Sequence, residues 1–147
     1  MAKKIVLLLS FLFYPVLFFC QQQHHIQWPS LADSPWPVLR GDMQATGRSL
    51  YVGPRTNHVS WIKDMPLGVL YGPVIGYNDV LYMGEWALSP DSVNYFYAVD
   101  NEGNDLWTFE TETFYANNGA PILNMDSTIL FSGNYTLYNL SIYGEKN

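Results

Sequence analysis

"YAVDNEGNDLW", residues 97–107, decides how the rest of the chain is read. An apolar run ends at Val99. The turn Asp100-Asn101-Glu102-Gly103 follows, and a second run starts at Asp105 and carries Trp107. An Asp opening a turn accepts backbone N–H bonds, and a Gly takes the left-handed position that other residues resist. Trp107 comes four residues after that Gly. From there its ring can lie flat against a neighbouring layer while the indole N–H finds a carbonyl at the layer's edge. This reads as two short strands joined by a tight turn.

Outward from this stretch the same texture continues. "GPVIG" (72–76), "DVLYMG" (79–84), "YFYAVD" (95–100) and "DLWTFE" (105–110) are short β-branched and aromatic runs bounded by turn residues. "GAPILN" (119–124), "TILFSG" (128–133) and "YTLYNLSI" (135–142) extend the series. A spacing near ten residues is an all-β rhythm. The runs also repeat. Trp61 and Trp107 lie 46 residues apart, and Pro73 and Pro121 lie 48 apart. "VLYMG" (80–84) aligns with "ILFSG" (129–133) at an offset of 49, and an offset of 41 places Gly103 on Gly144. The offset falls because the first copy has a longer connection, residues 85–94. Units of 41 to 49 residues with four strands each are the signature of β-propeller blades. The expectation is an all-β fold of about two four-stranded antiparallel blades in an incomplete ring. Residues 36–60 form an opening segment, 61–106 the first blade and 107–147 a truncated second. Two blades cannot close a ring, so further blades, of the same chain or of other copies, are expected. Asn147 falls one residue short of where a third docking Trp would stand, which reads as a break inside a repeat.

The N-terminus has a different character. Lys3 and Lys4 precede an uncharged apolar run of sixteen residues, then "QQQHH". A basic start and a short apolar stretch make residues 1–20 a secretory signal peptide. The run is shorter than the roughly 20 residues of a spanning helix, and Pro15 interrupts it. No membrane span is expected after cleavage, and the protein is placed outside the cell or in the periplasm or envelope. Phe19 stands where a lipobox has a small residue, which disfavours lipid attachment at Cys20. Residues 21–35 are read as a flexible linker. Without Lys3 and Lys4, five basic side chains face thirteen acidic ones, a balance of −8. That argues against nucleic acid and anionic lipid surfaces as partners. With Cys20 at the leader's end, the mature domain has no further cysteine to pair, so packing alone must hold it.

Ala98-x-Asp100-x-x-Gly103-x-x-x-Trp107 resembles the tryptophan-docking repeat of the pyrroloquinoline-quinone-like (PQQ-like) β-propeller proteins. "WPVLRGDMQATGRS", residues 36–49, is similar to the segment that precedes the first blade in many secreted members. The resemblance covers residues 36–147. It implies a propeller of several blades, in which Ala98, Asp100, Gly103, Trp107, Trp61 and Gly144 form the structural docking motif. Members include quinone-dependent dehydrogenases, an outer-membrane assembly lipoprotein and secreted proteins without known chemistry. The enzymes bind quinone and calcium with residues from several blades. Here there is no vicinal Cys pair, the turn is one residue shorter, and Asn139 and Ser141 replace Ala and Asp in the second copy. Those departures leave the motif a packing role.

The remaining candidates have plain readings. Adjacent His24 and His25 on a tail make a poorly organised metal site. Asp42, in Arg40-Gly41-Asp42, caps a turn. No phosphate loop, no metal-spaced Cys/His cluster and no Ser-His-Asp set stands out. The favoured reading is a non-enzymatic secreted or envelope propeller, without cofactor, that binds a protein or a glycan. The 85–94 connection, with Glu85, Trp86 and Tyr95, is the candidate contact loop. The alternative is an N-terminal piece of a quinone-dependent dehydrogenase, which would use PQQ and calcium.

Overall fold

Alternation along each apolar run gives a strand two faces, and the sheets form where both faces find cover. The computed structural model describes residues 28–69, 71–86, 93–111, 119–133 and 136–147. Seven strands there form two antiparallel sheets. The first sheet has β1 (Val74–Ile75), β2 (Leu81–Gly84), β3 (Asn94–Val99) and β4 (Asp105–Thr111) in sequence order. The second has β5 (Ile122–Leu123), β6 (Thr128–Gly133) and β7 (Thr136–Ser141). The fold is all-β, its sheets are not closed into a barrel, and they are consistent with incomplete blades. The second sheet has three strands where the first has four. After β7 a turn brings Lys146 to bridge Leu140, and the Asn147 amide donates to the Asn139 carbonyl at 3.1 Å, so only the start of a fourth strand is formed.

The core lies between the sheets. Val74, Tyr82, Phe96 and Ala98 pack against Leu123, Ile129, Phe131, Tyr138 and Leu140. Phe96 stacks on Phe131 with centroids 4.0 Å apart, and Phe131 stacks on Tyr138 at 5.1 Å. Burying a side chain of this kind contributes roughly 1.5–3 kcal/mol. Burial also pushes the Tyr82 phenol up to about 12. A smaller cluster, Met83, Tyr97 and Val99 with Met65 and Leu81, covers the other face of the first sheet.

Strand register corrects one alignment. Leu81 pairs with Val99 and Ile129 pairs with Leu140, so Leu81 corresponds to Ile129 at an offset of 48, in step with Pro73 and Pro121. The offset of 49 matched apolar letters but slipped by one residue, which exchanges the two faces of a strand. With the register right, Ile129, Phe131, Tyr138 and Leu140 correspond to Leu81, Met83, Tyr97 and Val99. Both sheets thus use equivalent front faces.

Residues 30–37 run along the inner edges of both sheets. The Met125 amide donates to the Ser30 carbonyl, Ala32 to Leu123 and Leu123 to Pro37, each at 2.8–2.9 Å. Trp36 and Ile75 exchange two backbone bonds. The segment read as a linker, 21–35, is therefore hydrogen-bonded to Met125 at Ser30 and to β5 at Ala32, and residues 30–37 together blunt two strand edges that would otherwise invite pairing. Within the opening segment, residues 50–60 are exposed and form no strand. The leader 1–20 with Cys20, His24 and His25, and residues 87–92 of the connection lie outside the described residues. Among the described residues no helix is long and apolar enough to cross a membrane.

Candidate functional site

The repeated motif builds the same dock twice. Trp61 donates its indole N–H to the Asn101 carbonyl at 2.8 Å, and Trp107 donates to the Ile142 carbonyl at 2.9 Å. Each ring lies against a turn glycine. A Cβ on Gly103 would stand 2.9 Å from Trp61 Cδ2, and one on Gly144 would stand 2.8 Å from Trp107 Cδ2. Both glycines have positive φ, +91° and +86°, so each position needs the conformation and the missing side chain together. Ala98 is fully buried opposite Trp107 on β4. The motif residues are thus engaged in packing.

The turns themselves are superimposable in their bonding. Asp100 Oδ1 accepts from the Glu102 and Asn104 amides at 2.9 and 2.8 Å. Ser141 Oγ accepts from the Tyr143 and Glu145 amides at 3.2 Å each. A hydroxyl replaces a carboxylate and keeps both bonds, so the departure seen in the second copy preserves the turn. Asp42 repeats the pattern with the Gln44 and Thr46 amides, and Ala45 sits at the left-handed position with φ +53°. The Asn104 side-chain amide, then the backbone amides, hold the Asp100 carboxyl below its usual range. A lowered folded value means this support is present above the unfolded value and is lost as pH falls through the folded one. Ser141→Ala should cost about 1 kcal/mol by leaving two amides without their acceptor. Ser141→Asp should restore stability, and acid should then weaken that turn, measured by urea unfolding at pH 7 and pH 3.

The candidate contact loop begins inside the protein. Glu85 is 1 % exposed. Its backbone N–H donates to Tyr95 O at 3.0 Å, and its Oε2 accepts from Tyr95 N at 3.2 Å. Burial, and then the charge of the Glu85 carboxylate, raises the Tyr97 phenol well above its ordinary value. Oε1 has no hydrogen-bond partner among the described residues. Glu85 and Tyr95 are therefore brought together as a clamp at the base of the connection, and the Trp86 amide ties it to Gly68 at 3.1 Å. Trp86 and Tyr95 are half-buried.

A cleft of about 660 Å³ lies elsewhere, on the N-terminal segment. Trp28, Trp36, Asp33, Gln44, Arg48 and Met125 line it. Trp28 is 51 % exposed, and Trp36 is braced against Gly41, where a Cβ would come within 2.7 Å of the ring. Sequence reasoning did not find this cleft. The available signal was the pair of Trp-Pro dipeptides, 28–29 and 36–37, because a residue before Pro is held extended. No group of three His, Cys, Asp or Glu side chains that could hold a metal ion occurs among the described residues. No family model and no curated protein matches the chain.

Proposed function

We propose that the chain is a non-enzymatic β-propeller module of a secreted or cell-envelope protein, and that it binds a glycan in the cleft between Trp28 and Trp36. The observation that carries this reading is the cleft's lining. Two indoles stand with a carboxylate, an amide and a guanidinium around a space large enough for a small ligand. Sugar rings offer apolar C–H faces to indoles and hydroxyls to planar polar groups. The same Trp-on-Gly dock formed twice, Trp61 on Gly103 and Trp107 on Gly144, supports the propeller reading.

The test is a tryptophan-fluorescence titration of the full chain with a panel of neutral and acidic oligosaccharides. Trp28→Ala should weaken binding at least tenfold, about 1.4 kcal/mol, with unchanged circular dichroism, because Trp28 stands at the surface. Trp86→Ala should leave the affinity as it is. Absence of binding across the panel, or a Trp28→Ala variant with full affinity, would refute the cleft as the site.

A further inference from the structure

Resting on the glycan reading of the cleft, we propose that its ligand carries a free, positively charged amino group, and that Asp33 selects it. Two features of residues 33–34 meet here. The first is that both side chains stand without partners. Asp33 is exposed, and its carboxylate has no hydrogen-bond or ion-pair partner among the described residues. The Ser34 hydroxyl is buried and has no hydrogen-bond partner among the described residues. A buried polar atom left unpaired is uncommon and costly. The second feature is a fixed backbone under them. The Ala32 amide donates to the Leu123 carbonyl at 2.9 Å, the Asp33 amide donates to the Tyr77 hydroxyl at 3.2 Å, and Trp36 exchanges two bonds with Ile75. Pro35 also narrows the backbone choices of Ser34. A rigid segment therefore presents two neighbouring acceptors at the cleft, with little ordering left for a ligand to impose.

Charge decides what kind of donor fits. The lining holds two carboxylates, Asp33 and Asp42, against one guanidinium, Arg48. The chain as a whole carries a net charge of −6. A negative cleft in a negative protein raises the local concentration of cations. Asp42 directs its Oδ1 at the Gln44 and Thr46 amides, at 2.9 and 3.1 Å, so it contributes field, whereas Asp33 is open to direct contact. An ammonium brings three donors and no acceptor. It matches a carboxylate and a hydroxyl side by side, and the face of an indole attracts it as well. Trp28 and Trp36 line the same cleft. An acylated amine has lost the charge, and a uronic acid would meet Asp33 with a charge of the same sign. The class expected is thus a hexosamine glycan with its nitrogens unacylated.

The experiment is a tryptophan-fluorescence titration of the full chain at about pH 6, where amines are protonated and ordinary carboxylates are ionised. The probes are short oligomers of glucosamine, of N-acetylglucosamine and of galacturonic acid. The glucosamine oligomer should bind about tenfold tighter than the acetylated one. The preference should shrink in about 1 M salt, where the Debye length is about 3 Å. Asp33→Asn should erase the preference with unchanged circular dichroism and leave the acetylated oligomer's affinity as it is. Asp33→Glu should keep the preference, and Trp28→Ala should weaken both. Equal binding of all three oligomers, tighter binding of the acidic one, or a preference that survives in Asp33→Asn overturns this proposal and leaves the glycan cleft standing. If none of the three binds, or if Trp28→Ala binds glucosamine oligomers as wild type does, the cleft reading falls and this inference with it.

Discussion

Trp107→Ala should remove a large share of the stability of the two-sheet unit. The ring on β4 stands 6.0 Å from Tyr82 and 6.2 Å from Phe96 between centroids, lies on Gly144, and donates to the Ile142 carbonyl. One side chain therefore ties the first sheet to the turn after the last strand of the second. Truncating a packed Trp costs about 3–5 kcal/mol, and a domain of this size has only about 5–15 kcal/mol in total. The expected result is a urea midpoint lowered by half or more, with loss of near-ultraviolet dichroism. Trp61→Ala should cost clearly less, because the Trp61 ring is exposed and has no second sheet behind it. A Trp107→Ala variant within about 1 kcal/mol of wild type would show that the dock does not hold the sheets together.

Gly144→Ala should cost about 2–5 kcal/mol, from two separable causes. At φ +86° an alanine is strained by about 1–2 kcal/mol. Its Cβ would also lie 2.8 Å from Trp107 Cδ2, and displacing a packed ring adds about 1–3 kcal/mol. Gly47 separates the two, since it has φ +67° but nothing within 4 Å of a Cβ. Gly47→Ala should show the conformational cost alone. In a double-mutant cycle, the cost of Gly144→Ala in a Trp107→Ala background should fall to the Gly47→Ala value. Strict additivity of Gly144→Ala and Trp107→Ala would mean that ring and turn do not interact.

The docking motif was legible because its chemistry is local. An Asp or Ser that accepts amides two and four residues on, and a Gly at the left-handed position, are requirements of one turn and leave their marks within five residues. The contact loop was legible only in part. Glu85 looks solvent-facing as a lone charge at the start of a connection, yet it closes on Tyr95 and Tyr97 across a strand pair, and no local pattern records that. The cleft was not legible, because Trp28, Arg48 and Met125 come together only once residues 30–37 have paired with the edges of β1 and β5.

Alternation and turn residues by themselves determined that the chain is all-β, where the strands lie from Val74 onward, and that a unit recurs with its Trp and Gly in step. Those properties depend on neighbours along the chain. Register, face and edge depend on neighbours across it. Only the tertiary structure decided that the offset in the hairpin strands is 48, that the N-terminal segment seals both inner edges, and that Leu137 stays exposed while its counterpart Phe96 is buried. A one-residue slip leaves the letters almost equally apolar but turns every side chain to the opposite face, and contact with the second sheet is what selects between the two.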